Sequence, residues 1–488
     1  MAKHDRWALF LSSSAVILPL IPNPSSAQIF QVTPSIGVEE KWTDNVLSTS
    51  SDQKADFITT VTPAINITGK GARVNVGLDY SLAYDRYAAQ NDLDGMRHQG
   101  VAMAGAEVIE DLFSVDARGA ISEKLINPTA AATADGRTAP SNQARVASYT
   151  LTPMLRHRFG SFAAAQARYR HDETKYLSTG SGSNTSPGIS DSVGDAQTVG
   201  VRSGDDFTQM LWSYEFENVR REASTVFIQT SHTGHGEYRV NHDWGVLGHL
   251  GHDYLNNATL DSDQYSGVFY GGGLHWTPSP RTDVAAEVGH RYDGVNVFVK
   301  ATQAIGERTQ LKLSHNTGVT TEAESIATSL NEINRDPEGR LIDPFTGLAP
   351  DPTASPFERT DAAFKQTQTS LSVTHRLDRD TFMLTGSLAT RESTGTVSNE
   401  TTAIDVGASW THQLTELLSS TAAISRSDII EAPADSGKVE RLRASLALNY
   451  AITPTLSSHA GYWFVDSQPE TGNGVTENLV AIGFRKQF

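Results

Sequence analysis

The stretch Arg73–Asp85 limits the possible folds more sharply than any other. Val74, Val76, Leu78, Tyr80, Leu82 and Tyr84 alternate with Arg73, Asn75, Gly77, Asp79, Ser81, Ala83 and Asp85. A helix would scatter those apolar residues around its circumference, whereas a strand puts them all on one face. One face suits lipid and the other suits water. The pattern recurs: Met210, Trp212, Tyr214 and Phe216 alternate with Leu211, Ser213, Glu215 and Glu217. Leu442, Ala444, Leu446, Leu448, Tyr450 and Ile452 form a further apolar row.

Taken in order, such segments predict about 22 strands, within roughly 18 to 24. The first is Phe30–Thr43 and the last is Val475–Phe488. Short breaks fall near Gly69, Glu110, Phe159, Gly204, His242, Pro278, Gly306, Leu377, Leu414 and Pro454. Most of the breaks between them are longer and polar, such as 125–142 and 177–193, and the longest is Thr321–Thr360. An even strand number with alternately short and long connections predicts an all-β fold: a transmembrane antiparallel up-and-down β-barrel. Both termini would be periplasmic, with short periplasmic turns and long extracellular loops. No fixed-period repeat supports a propeller or β-helix. The hydrophobic content of 38% also fits, since a barrel needs apolar side chains only on its outer band.

The two ends agree with export to a membrane. Residues 1–27 carry Lys3 and Arg6, an apolar run from Trp7 to Ile21, and Ser25-Ser26-Ala27, which fits a signal peptide cleaved before Gln28. That run is too short to span a bilayer, and no later segment approaches the roughly 20 apolar residues a spanning helix needs. The expected domains are a signal peptide, 1–27, and a barrel, 28–488. The last strand alternates through Val480, Ile482 and Phe484 and stops on Phe488. It resembles the C-terminal signal of bacterial outer-membrane barrels. That resemblance implies recognition of Phe488, with Phe484, by the barrel-assembly machinery, and residence in outer-membrane lipid of a Gram-negative cell. Val475–Phe488 is expected to close the barrel against Phe30–Thr43.

Charge and cysteine content exclude other classes. The chain carries a net charge of −17, and an acidic surface argues against nucleic acid as a partner. It has no cysteine, which rules out a disulfide scaffold or thiol chemistry and suits passage through an oxidising periplasm.

Several motifs carry a family resemblance. They are Pro34 with Thr43-Asp44-Asn45; Pro63, Gly69 and Tyr80; and Trp276, Pro278, Ser279, Arg281, Thr282, Gly289, Arg291 and Tyr292. Together they resemble outer-membrane β-barrel proteins associated with the PEP-CTERM system, within the β-barrel porin group, whose genes typically lie in exopolysaccharide loci. Asp293-Gly294 stands where that family carries an aromatic residue after the tyrosine. The resemblance implies an outer-membrane location and a link to polysaccharide export. It supplies no catalytic residue and no cofactor.

The motifs also have a plain physical reading. Pro278 and Pro280 are expected in a turn, where a missing N–H costs no ladder bond. Trp276 at a strand end suits the membrane interface. Arg281 and Arg291 are expected to face the lumen or periplasm, because arginine on the lipid face costs about 2–4 kcal/mol at the midplane. The candidate lumen lining is Asp79, Ser81, Asp85, Glu215, Glu217, Glu287, Arg291, Arg441, Arg443 and Asn449.

No metal site is expected. His232 and His235 are three residues apart, as are His249 and His252, so each pair should point to opposite faces of a strand. Asp336, Glu338, Asp343 and Asp351 lack the spacing of a calcium loop. Neither a Gly-x-Ser-x-Gly elbow nor a phosphate-binding loop is present.

These features favour a non-enzymatic barrel serving exopolysaccharide secretion, with the polymer and its periplasmic export components as partners. A general diffusion porin and a barrel hydrolase or polysaccharide-modifying enzyme are the alternatives. The strands begin within a few residues of the expected cleavage site, which leaves no separate plug domain, so a lumen this wide is expected to narrow by the 321–360 loop folding inward or by the barrel flattening.

Overall fold

Strands with one apolar and one polar face leave two unpaired edges unless the sheet closes on itself, and in lipid an open edge is prohibitive. The computed structural model resolves this by closure. It describes residues 29–126, 133–134, 143–178, 189–257, 265–336, 340–394, 398–432, 437–470 and 472–488. The expected signal peptide lies outside the described residues.

The first strands are β1 (Ile29–Thr43), β2 (Asp56–Lys70), β3 (Val74–Tyr87), β4 (Gly95–Ile109), β5 (Phe113–Leu125) and β6 (Gln143–Phe159). Next come β7 (Ala163–Ser178), β8 (Ser192–Ser203), β9 (Met210–Glu222), β10 (Val226–Arg239) and β11 (Trp244–Asn257). β12 (Gly267–Ser279), β13 (Thr282–Arg291), β14 (Gly294–Ile305) and β15 (Thr309–Thr320) follow. A segment holding helix α1 (Glu322–Glu332) and a small hairpin, β16 (Asn334–Arg335) with β17 (Leu341–Ile342), interrupts the series. It resumes with β18 (Phe364–Arg376), β19 (Asp380–Thr394), β20 (Ser398–Gln413) and β21 (Leu418–Glu431). β22 (Val439–Thr453), β23 (Leu456–Pro469) and β24 (Val475–Gln487) complete it.

Apart from β16 and β17, these form one 22-stranded antiparallel sheet in which sequence neighbours pair. β24 pairs with β1, from Ser35↔Gln487 to Thr43↔Leu479, so the sheet is a closed barrel. The terminal strand shows the alternation directly. Val480, Ile482 and Phe484 are exposed on the outer surface, while Glu477, Leu479 and Ala481 are buried inside.

Connections at one end of the barrel, here the turn end, are uniformly short, as at 110–112, 160–162 and 306–308. Asp111, Gly160 and Gly306 turn there with positive φ. At the other end, the loop end, lengths vary. The break 321–363 is the longest, but Tyr292-Asp293 is a two-residue turn with both residues left-handed, at φ 56° and 55°. That pair of positive φ values is what a type I′ hairpin turn requires.

Two local expectations need correction. β2 and β3 stay paired to Lys70↔Asn75, so their turn lies at 71–73 rather than at Gly69-Lys70-Gly71. Pro278 lies inside β12, not in the turn: the register shifts between Trp276 and Ser279, and an irregularity there tolerates a residue without an N–H.

Aromatic rings gather on the outside near the turn end. Trp244 stacks on Trp276 with centroids 5.8 Å apart, and Phe382 on Trp410 at 6.2 Å and 5°. Amphipathic rings of this kind mark the edge of an apolar belt.

The one α-helix among the described residues was not anticipated, and it sits inside. Thr321 caps α1 by accepting a hydrogen bond from the Glu324 N–H at 3.2 Å. Ala323, Ile326, Ala327 and Leu330 fall on one face at helical spacing and are buried. Ile326 and Leu330 pack with Ile333 and Leu341 against Ala120 of β5 and Val146 of β6. Burying each of the two large side chains contributes about 1.5–3 kcal/mol. Farther along, Phe357 packs against Ala389 of β19 and Ala403 of β20. The 321–363 segment therefore folds inward and reaches walls on both sides of the lumen.

Candidate functional site

The inward segment is fastened to the barrel wall mainly by carboxylates meeting guanidinium groups. Glu324 bonds Arg170 through one oxygen and Arg221 through the other, the latter at 2.7 Å. Asp172 of β7 receives the same two arginines, at 3.1 Å and 2.6 Å. Two acids and two bases thus close a ring joining β7, β9 and α1. Gly194 of β8 lies in register between Asp172 and Arg221. A Cβ there would come within 2.5–2.9 Å of the Arg221 guanidinium, so the glycine makes room for it.

Glu322 makes a second anchor. It accepts from Arg359 of the same segment and from Arg391 of β19, both at 3.0 Å. The Arg391 guanidinium also lies over the Phe364 ring at 3.6 Å and over Phe357 at 4.4 Å. At the other end of α1, Arg118 donates to the carbonyls of Leu330, Asn331 and Ile333 at 3.1, 2.6 and 2.5 Å. A cation there also suits the negative end of the helix dipole. Lys124 binds Asp351, and Lys312 binds the Pro344 carbonyl.

Burial alone would raise the pKa of Glu324, but Arg221 and Arg170 outweigh it and hold the group below the usual carboxylate range. Glu332, at the end of α1, is shifted upward by burial and by the nearby Asp343 charge.

Below the anchors, toward the turn end, more arginines face the lumen. Residues two apart on a strand share a face. The strand register therefore sets Arg221 level with Asp172, then Arg170, then Arg168 on the level of Glu217 with Thr198 between them, then Arg156 on the level of Glu215 with Gln166 and Gly200 between them, and last Arg158 and Arg202 on either side of Ala164. Arg158 and Arg202 line a recess of about 600 Å³ with His235, Glu237, Arg239 and Glu287.

The residues anticipated as lumen lining all lie on inward-facing positions but do not converge. Asp79 bonds Asn66; Asp85 pairs with Arg97 at 2.5 Å; Glu287 bonds His249 at 2.7 Å. Arg291 forms a two-pronged pair with Asp253 at 2.7 and 3.0 Å and lies over Phe269. Arg441 bonds Ser467, and Arg443, Ser81 and Asn449 share inward faces with them. Only Glu215 and Glu217 stand among the arginine series.

The motif residues hold the barrel's shape. Thr43 donates to Glu477 at 2.5 Å, and the Asp44 carboxylate accepts from the N–H and the side-chain amide of Asn478 at 2.8 and 2.7 Å. Asn45 donates to the carbonyls of Thr49 and Thr476. This triplet latches the β1–β24 seam at the loop end. At the turn end the Phe488 N–H donates to the Pro34 carbonyl at 2.9 Å, and the Phe488 ring is exposed, as is the outward Phe484. Pro63 and Tyr80 face outward, and Tyr80 bonds His98 at 2.7 Å. Trp276 is in the aromatic belt, Arg281 in the exposed β12–β13 turn, and Tyr292 is buried in its I′ turn. A Cβ on Gly289 would stand 2.2 Å from the Tyr270 carbonyl, so only glycine fits.

His235 and His249 meet inside the barrel at 5.7 Å, while His232 and His252 pair on the outside, and His242 lies in a turn. No group of three or more metal-ligating side chains converges among the described residues. Asp336 pairs with Arg340, Asp343 caps its own turn and Asp351 meets Lys124. Glu338 lies outside the described residues.

Sequence reading missed Glu322, Glu324, Arg118, Arg170, Arg221 and Arg391. Thr321-x-x-Glu324 followed by Ala323, Ile326, Ala327 and Leu330 is a helix-start signature that would have exposed α1.

Residues 27–207, which include β1 to β8, match the family model described as "Putative beta-barrel porin 2". No curated protein matches the chain. Among solved structures, the FrpB iron transporter of Neisseria meningitidis (F5-1 variant) is 10% identical over 93% of this chain and 82% of that one, with a TM-score of 0.51. Its apoprotein form is 9% identical over 93% and 81%, with a TM-score of 0.50. The siderophore receptor PirA of Acinetobacter baumannii is 10% identical over 93% and 80%, with a TM-score of 0.48. At these identities the FrpB likeness is one of fold. The match over residues 27–207 agrees with it: the chain is a porin-like β-barrel in fold.

Proposed function

We propose that the barrel is a non-enzymatic conduit for exopolysaccharide, with the turn end in the periplasm and the loop end at the cell surface. One observation carries this reading: a wide barrel lined by polar side chains has its own segment, 321–336 and 340–363, folded inward and anchored to the wall through polar and ionic contacts. A stopper held in this way is suited to release, and the polar wall behind it is suited to sugar hydroxyls and water. The motif resemblance to barrels linked with exopolysaccharide loci supports the same cargo. Periplasmic export components would deliver the chain to the turn end.

A constitutively open diffusion porin fits less well with an inward segment anchored to the wall. Iron uptake, named for the FrpB structures, rests on a shared fold alone. Deleting the gene and measuring surface polysaccharide tests the proposal. Loss of polymer from the surface, with retention in the cell, is expected. Unchanged amount and location would refute it.

A further inference from the structure

The 321–363 segment carries nine acidic side chains against three arginines. The wall it meets has the opposite bias. On β6 to β9 the lumen-facing charges are Arg156, Arg158, Arg168, Arg170, Arg202 and Arg221, against Asp172, Glu215 and Glu217. A chain with a net charge of −17 has thus gathered cations on one strip of its interior.

The strip is a ladder. From the level of Arg221 to that of Arg158 and Arg202 is eight residues along the strands, or roughly 26 Å, and every second residue level adds at least one guanidinium. Only the upper rungs, Arg221 and Arg170, are neutralised by the inward segment, through Glu324. Among the described residues, Arg156, Arg158, Arg168 and Arg202 make no side-chain hydrogen bond or ion pair with the protein. Arg221 and Arg391, though buried and engaged by carboxylates, each keep an Nε donor without a partner. A row of unsatisfied planar donors is a binding surface for carboxylate, sulfate or phosphate groups, which guanidinium recognises through paired hydrogen bonds.

We infer that the arginine ladder on β6–β9 is a binding track for a polyanionic chain, and that Glu324 is a built-in competitor occupying its surface end, with Glu322 fastening the same helix to Arg391 of β19. This rests on the conduit reading and adds the cargo class: an acidic polymer rather than a neutral glucan. An acidic chain entering from the turn end meets Arg158 and Arg202 first and climbs through Arg156 and Arg168. At Arg170 and Arg221 it exchanges places with Glu324, carboxylate for carboxylate, so release of the stopper does not leave those buried arginines bare. A neutral chain has no group to make that exchange.

The test uses the full-length barrel in planar bilayers, folded protein being confirmed by heat-modifiable gel mobility. The double variant E322Q/E324Q provides an open channel. In a KCl gradient its reversal potential is expected to show anion selectivity, and R158Q/R202Q in the same background to reduce it. Polygalacturonate oligomers added at the turn end should interrupt the current at concentrations at least tenfold lower than dextran oligomers of equal length. R158Q/R202Q should erase that difference. Equal potency of the two polymers, or cation selectivity, overturns the anionic class while leaving a conduit in place. An open channel that neither polymer enters overturns both this inference and the conduit reading.

Discussion

Arg221 stands 2.7 Å from the Glu324 carboxylate and 2.6 Å from Asp172, so one buried guanidinium ties the inward segment to two strands of the wall. Removing one partner of a buried ion pair costs about 3–5 kcal/mol, because the other is left uncompensated. Glu324→Gln should therefore unseat α1 without opening the barrel itself. Limited trypsin digestion reads this out: cleavage at Arg335, Arg340 or Arg359 should speed up at least tenfold. Unchanged digestion would mean the segment is held by something else.

The same contact sets a pH dependence. Glu324 is held below its ordinary value of 4.5, so it stabilises the seated segment above that value and the contribution fades as pH falls below it. Glu332 is shifted the other way, so its contribution grows as pH falls through its raised value. Tryptic cleavage of the segment is unsuited to acid, but a fluorophore placed on Thr328, exposed on α1, reports seating across the range. The signal should show tightening on mild acidification and loosening as the pH falls below the ordinary glutamate value of 4.5. Glu332→Gln should abolish the first change and keep the second.

Apolar packing supplies an independent share. Leu330 is fully buried among Ile326, Val146 and Ala120. Leu330→Ala should cost about 2–5 kcal/mol of seating. Channel openings should become more frequent, while the temperature at which the barrel loses its folded gel mobility stays unchanged. A drop in that temperature would show that α1 is part of the barrel's own stability.

The seam predicts a different phenotype. Asp44 accepts two hydrogen bonds from Asn478 across the β1–β24 closure. Hydrogen bonds to a charged group contribute about 1.5–3 kcal/mol each. Asp44→Ala should lower the unfolding temperature of the barrel and leave tryptic cleavage of the segment alone. Combined with Asn478→Ala, the losses should be less than additive, because the two substitutions share the side-chain bond between Asn478 and Asp44.

The barrel was legible because lipid enforces alternation: Val74 to Tyr84 must face one way, and the terminal Val480, Ile482 and Phe484 repeat the rule. Closure of β24 on β1 follows from the same need to remove edges. What alternation leaves open is the lumen, where polar side chains are equally at home facing water or each other. Asp172 and Arg221 are 49 residues apart, and Glu324 is 103 beyond Arg221, so only the register brings them together. Pro, Gly and acid in 336–361 masked the short helix before them, although Thr321 and Glu324 marked its start. The Thr43-Asp44-Asn45 motif was visible as a pattern, but its role needed Asn478 beside it.

If the inward segment, seated on the wall, closes the lumen, then locking it in place must silence the channel. The chain has no cysteine, so a disulfide between Val146→Cys and Ile326→Cys, two residues of one packed cluster, gives a clean lock. In the E322Q/E324Q background, planar-bilayer conductance is measured before and after reduction. A silent channel is expected when the lock is oxidised, and a large, reversible conductance when it is reduced. Equal conductance in both states, with the disulfide verified, would contradict it.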